Sequence, residues 1–344
     1  MKKIICMLLF FSIIFSINIT TFADESEGQA VIVTNEEELK EAVADENMPT
    51  IIIGASNSFS KDSAGTTIVL SEPMIVTHDL TMRAADDNPI IIKVAGQFQH
   101  MMIYPEWDYN TVDFENIILD GAGMGGGIQC SGNITINNAI IQNCANVGIQ
   151  CSGNITVNES TISKNGGSGI NGSSMVNLTV KNSIISDNKS YSGGGISLSY
   201  FSKLTLNNSI IADNTADYGG GGIYLYYTNS TAEINDSIIS GNTAEFGGGI
   251  YGYMPEDRVS ITGCSIKNNA ANIYGGGIFS YEYDLTVDKT SIFSQNKASG
   301  EYYLTNPDFI ALHNENILTS HFSEPFTEYA YNNYDIGSHF MSIW

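Results

Sequence analysis

Basic side chains are scarce in this sequence. Its 344 residues hold 14 Lys and Arg against 37 Asp and Glu, a formal net charge of −23. So acidic a surface repels nucleic-acid phosphates and anionic lipid, which excludes nucleic-acid binding; a bare polyuronate would need bridging cations. Arginine is rarer still, occurring only at Arg83 and Arg258. There are five cysteines and five histidines, with no Cys-x-x-Cys pair and no histidine cluster, so nothing argues for zinc. After the N-terminus no apolar run approaches the roughly 18 residues of a membrane-spanning helix.

The long apolar run that does occur stands at the start. Lys2 and Lys3, Ile4 to Ile17 and the small-residue site Thr21-Phe22-Ala23 read as a secretory signal over residues 1–23, cleaved after Ala23. The mature chain is expected to be secreted or surface-associated, with no membrane span and two fewer positive charges. Of the cysteines it keeps Cys130, Cys144, Cys151 and Cys264. Cys130 and Cys151 stand at the same place in two copies of Gln-Cys-Ser-Gly-Asn-Ile-Thr. Parallel Cβ vectors one strand spacing apart, about 4.8 Å, favour a ladder of buried thiols over a bridge.

What is abundant is repetition. Gly-Gly-Gly-Ile recurs at Gly193–Ile196, Gly220–Ile223, Gly247–Ile250 and Gly275–Ile278, and a first copy stands at Gly125–Ile128. The isoleucine returns at 128, 149, 170, 196, 223, 250 and 278, first every 21 residues and then every 26 to 28. A fixed period of about 20–50 residues marks a solenoid, whose units bury their apolar faces against their neighbours. After each Gly-rich strand comes a second, such as Ile134-Thr-Ile136 or Leu204-Thr-Leu206. A third short piece carries an apolar residue three before an Asn, from Ile140 and Asn143 to Phe293 and Asn296. Apolar residues flanking a polar one indicate period two, one face in and one out. Three strands per turn of chain give an all-β, right-handed parallel β-helix. The recurring Asn is expected to take left-handed backbone angles at the turn and to bond its counterpart in the next coil.

The ends read as covers. Residues 24–65 form an N-terminal cap with strands at Ala30–Val33 and Thr50–Ile53 and a helix entered at Thr34 or Asn35. Thr34 with Glu37, or Asn35 with Glu38, has capping-box spacing, and Leu39, Ala42 and Val43 make an apolar stripe. The helix proper spans 66–298, beginning with irregular coils that include one strand from Val112 to Leu119. An aromatic, Asn-rich tail, 299–344, covers the last coil; His313, His321 and His339 there lack metal-ligand spacing.

The paired motifs Gly-Gly-x-Ile and Phe-x-x-Asn, the latter literal at Phe293–Asn296, resemble the repeats of chlamydial polymorphic outer-membrane proteins and of pectin-lyase-like surface proteins. The resemblance covers roughly Phe114 to Ala298. It implies the β-helix fold, and similar solenoids carry adhesins, polysaccharide lyases and hydrolases. Unlike the autotransporter members, this sequence shows no membrane barrel after the repeats and no Leu-Pro-x-Thr-Gly motif.

If Ile223 points inward, Tyr224 and Tyr226 point outward, as do Tyr251 and Tyr253, then Phe279 and Tyr281. They are expected to form two exposed aromatic columns, with Tyr200, Tyr227 and Tyr283 at the neighbouring turn and Tyr218, Phe246 and Tyr274 beside the glycines. Such a face suits an extracellular glycan or a host or cell-surface protein, in a non-catalytic, adhesin-like role. The alternatives are a structural scaffold, in which the stacked rings only stabilise a sheet, and a polysaccharide lyase or glycoside hydrolase. For the enzyme, Asp213 and Asp217 could approach Glu245 across one coil as an acid/base pair or a calcium site. No cofactor is otherwise indicated.

Overall fold

The computed structural model describes residues 21–24, 28–54, 67–104, 110–226, 230–253, 258–280, 284–300, 317–323 and 331–338. Within each coil the chain passes through a glycine-rich strand, a threonine-bearing strand and an isoleucine strand. These stack as parallel sheets of ten, twelve and ten strands among the described residues, the twelve including one antiparallel edge strand. The whole is a right-handed parallel β-helix, the hand that nearly all parallel crossover connections take.

Register follows the repeat. Ile128, Ile149, Ile170, Ile196, Ile223, Ile250 and Ile278 are successive partners along the glycine-rich sheet. None is more than 2% exposed, so the inward assignment of Ile223 holds. Burying each such side chain contributes roughly 1.5–3 kcal/mol.

Two corners turn the coil, and both use left-handed residues followed by a buried polar one. Between the threonine and isoleucine strands, Glu159, Asn182, Asn208 and Asp236 have φ of 49°, 50°, 46° and 48°. The serines that follow them are buried, and Ser160, Ser183 and Ser209 each donate the backbone N–H to the next serine Oγ at 3.1 Å. After the isoleucine strand, Lys164, Asp187, Asp213 and Asn268 take φ of 57°, 56°, 55° and 55°. The next position points inward and is Asn165, Asn188, Asn214, Asn242, Asn269 or Asn296, each at most 2% exposed.

These asparagines form the expected ladder, each Nδ2 donating to the next Oδ1 at 2.9 to 3.1 Å. The left-handed angle, however, belongs to the residue before each ladder Asn, because that corner is what aims the following side chain inward. In the coil of Ile141, Asn143 itself takes the left-handed angle, φ 54°. Cys144 then holds the ladder place and donates its N–H to Asn165 Oδ1. Ile141, not Ile140, is therefore the register partner of Ile162.

The helix runs Glu36–Ala44 and packs Leu39, Ala42 and Val43 against the first strands. Its capping box is Asn35 with Glu38. Asn35 Oδ1 accepts the Glu38 N–H at 3.0 Å, and Glu38 Oε2 accepts the Thr34 N–H at 2.7 Å. A Lys40 hydrogen bond and the Ser71 N–H hold the Glu36 carboxyl down at about 2. Thr21–Asp24 adds an antiparallel edge strand across the cleavage point expected after Ala23. The single strand expected from Val112 to Leu119 is broken by Asn116 at φ 55° into Thr111–Glu115 and Ile117–Asp120, which belong to different sheets.

At the far end Ile336–Ser338 extends the glycine-rich sheet by pairing with Ile278–Ser280. Asp335 closes the ladder there: its Oδ1 accepts Asn296 Nδ2 at 3.0 Å.

Candidate binding face

The extra residues between the isoleucine and glycine-rich strands of the longer coils do not lie in turns. They form a fourth, outer sheet of five strands: Lys189–Ser192, Thr215–Gly219, Thr243–Phe246, Ala270–Tyr274 and Lys297–Ala298. Three strands per turn thus becomes four where the period exceeds 21 residues. Ala216, Ala244 and Ala271 are buried. The chain then folds back over the glycine-rich strand at Gly193, Gly220, Gly247 and Gly275, with φ of 62°, 63°, 59° and 69°. A Cβ on Gly220 would collide with the Ile223 carbonyl, so this fold-back requires glycine.

The fold-back brings rings from the outer sheet onto rings from the glycine-rich sheet. Tyr224, Tyr251 and Phe279 form a middle row, stacked with centroids 5.0 and 5.4 Å apart and planes 15° and 16° off parallel. Tyr218, Phe246 and Tyr274 form the row on the outer-sheet side, at 5.6 and 6.1 Å. Tyr226 and Tyr253 form the row on the other side, 5.3 Å apart. Tyr218 meets Tyr224 edge-on at 6.5 Å, and its hydroxyl lies 3.4 Å from that of Tyr251.

Two exposed columns were expected. The column of Tyr224, Tyr251 and Phe279 is instead buried, at 8%, 2% and 3% exposure, because the outer sheet covers it. It is the floor of a second, separate apolar cluster. Burial, with Tyr218 close by, pushes both the Tyr224 and Tyr251 hydroxyls well above the usual phenol range. Tyr226 and Tyr253 are half-buried and form an outward rim. Tyr281, like Tyr227 and Tyr283, lies outside the described residues.

The acidic candidates are not drawn into one site. Asp213 sits in the corner between the isoleucine strand and the outer sheet, whereas Asp217 is exposed and Glu245 half-buried on the outer sheet itself. Among the described residues no three His, Cys, Asp or Glu gather at metal-binding distance.

Cys130 and Cys151 are register partners with free, buried thiols, both aimed at the Gly132 carbonyl at 3.1 and 3.3 Å. The adjacent Cys151 thiol and burial push the Cys130 thiol up, and burial raises Cys144 to about 12 and Cys264 to about 11. Those three are inert as nucleophiles at neutral pH, whereas the hydrogen bond with Cys130 draws the Cys151 thiol down.

Sequence reasoning missed two exposed groups beside the rim. Tyr191 is 71% exposed and stacks on Tyr218 at 5.9 Å and 8°; counting back one 27-residue coil from Tyr218 would have found it. Phe201 is 57% exposed and follows Tyr200, 44% exposed, at the corner leaving the glycine-rich strand. Away from this side, a cavity of about 410 Å³ on the threonine sheet is lined by Thr50, Thr81, Arg83 and Glu115.

Fold and site define the class: a right-handed parallel β-helix with an aromatic layer clamped under an outer sheet. Residues 106–257 match the family model described as a right-handed beta helix region. No curated protein matches the chain. Similar solved structures include the A-modules of two Azotobacter vinelandii mannuronan C-5 epimerases. For AlgE4 the identity is 11%, over 89% of this chain and 93% of that one, with TM-score 0.44. For AlgE6 it is 11%, over 85% and 87%, with TM-score 0.42. ORF18 of Geobacillus virus E2 is 12% identical over 94% of this chain and 56% of its own, with TM-score 0.29. At these scores none of them carries its named activity over to this chain. Among the described residues no helix is long and apolar enough to cross a membrane.

Proposed function

We propose that the chain is a secreted or surface-associated, non-catalytic binding protein that engages an extracellular glycan or a cell-surface protein through the aromatic rim, in an adhesin-like role. One observation carries this reading: Tyr226 and Tyr253 stand half-exposed on a floor of buried, stacked rings that holds them rigid. Each ring pair contributes about 0.5–1.5 kcal/mol beyond its burial, so the rim is pre-organised and loses little entropy on binding. The two rim rings lie 5.3 Å apart and 36° off parallel, and phenol rings combine an apolar body with a hydroxyl suited to hydrogen bonding with polyols.

The test is to replace Tyr226 and Tyr253 together with Ala and measure retention on immobilised glycans. Retention is expected to fall by at least about tenfold while the far-ultraviolet spectrum stays unchanged. Undiminished retention would sink the rim as the contact surface.

A further inference from the structure

We propose that the step where the short coils meet the long ones is a subsite for one uncharged pyranose residue. The proposal rests on the binding reading above and gives it a place and a ligand class.

The aromatic rows stop abruptly. Ser197 and Ser199 are the register partners of Tyr224 and Tyr226, so the coil before them lacks both rings. One coil earlier Asn171 stands opposite Ser197. The result is a step one ring deep, with half-buried Tyr226 as its end wall and Ser199, Ser197 and Asn171, all half-buried, below it; the fold-back at Gly193 lies against Ser197, and Tyr224 shows only 8% of its surface.

Both flanks are aromatic. On one side the first outer strand carries Tyr191, backed by Tyr218, and the coil before it has no outer strand to cover it. On the other side Tyr200 and Phe201 project from the corner with φ of 47° and 59°. Two consecutive bulky residues in the left-handed region are strained, and such strain collects at ligand clamps. A glycine would relieve it, yet the chain places two exposed rings there.

The step is set for hydroxyl groups. Ser199 Oγ donates to the Ser173 carbonyl at 2.8 Å, and a hydroxyl that donates once can still accept. Ser197 and Asn171 make no side-chain hydrogen bond among the described residues. Exposed asparagines on the threonine sheet, by contrast, bond one another, as Asn154 Nδ2 does to Asn133 Oδ1 at 2.9 Å and Asn177 Nδ2 to Asn154 Oδ1 at 2.8 Å. Amide and hydroxyl groups donate and accept together, which is what ring hydroxyls need. The flanking rings match the apolar face of a sugar. Asn171, Ser197, Ser199, Tyr191, Tyr200 and Phe201 are all uncharged; the one cation of the flanking strand, Lys189, stands two residues before Tyr191, within a chain already strongly acidic, which disfavours a uronate.

The test uses residues 24–344 against uncharged gluco-, manno-, xylo- and chito-hexaoses and against uronate hexaoses, followed by titration with the best uncharged probe. The variants are Ser197→Tyr with Ser199→Tyr, which continue rows that the next coil already holds and so should leave the melting temperature intact, and Tyr200→Ala. The expected result is binding of an uncharged hexaose, weakened at least about tenfold by either change. Wild-type affinity in the double variant, alongside weakening by Tyr226→Ala with Tyr253→Ala, would overturn the subsite and leave the rim standing. Binding of uronate hexaoses alone would overturn the ligand class. Binding of no saccharide would overturn the subsite and leave the rim with a protein partner.

Discussion

Asn214 is fully buried and works in both directions along the solenoid. Its Oδ1 accepts the backbone N–H and the Nδ2 of Asn188, both at 3.0 Å, while its Nδ2 donates to the Ile185 carbonyl at 2.9 Å and to Asn242 Oδ1 at 3.0 Å. Asn214→Ala orphans groups in two coils at once, and each orphan costs about 1–3 kcal/mol. The expected loss is about 3 kcal/mol, read from the urea midpoint; a loss under about 0.5 kcal/mol, typical of a surface substitution, would mean the ladder is ornamental. The ladder was legible in the sequence because Asn recurs three residues after a buried apolar position. Its backbone geometry was not, since a left-handed residue can be Lys164, Asp187 or Gly241 and leaves no single-letter mark. Cys144 hid its ladder place for the same reason: position, not identity, defines the rung.

The outer sheet is the element that sequence spacing pointed to and misnamed. Growth of the coil from 21 to 27 residues was visible beside the Gly-rich strand, but length alone does not separate a longer turn from an added strand. Tyr218, Phe246 and Tyr274 stand beside the glycines in the sequence; that they close over Tyr224, Tyr251 and Phe279 depends on the fold-back at the glycines, which only a register between sheets reveals. Period two correctly put those rings outside the main core, and a second core lay outside it.

The C-terminal strand shows how a ladder can end. Every Asn both donates and accepts, so a further Asn would need another acceptor beyond the last coil. Asp335 only accepts, taking Asn296 Nδ2 at 3.0 Å, the Ser323 N–H at 2.7 Å, the Ser323 hydroxyl at 2.5 Å and Asn332 Nδ2 at 2.9 Å. Asp335→Asn sets an amide group against these donors. It is expected to cost about 1–3 kcal/mol and to speed hydrogen exchange at Ile278–Ser280 and Ile336–Ser338. Protection in the coils around Ile149 should stay unchanged, because a solenoid couples only near neighbours. Uniform loss of protection along the chain would contradict that locality.

Across the whole molecule the isoleucine interior gives a rod, and chemistry is left to its sides. Of these, the side under the outer sheet has half-exposed rings on a stacked floor, while among the described residues the candidate carboxylates Asp213, Asp217 and Glu245 form no metal-binding group. We therefore propose that this side holds a ligand. The most direct test is a screen of residues 24–344 against glycans and extracellular polysaccharides, with calcium and with chelator, recording both retention and the release of new reducing or unsaturated ends. Retention without new ends, insensitive to chelator, is the predicted result. New chain ends would contradict it and make the protein a polysaccharide-cleaving enzyme.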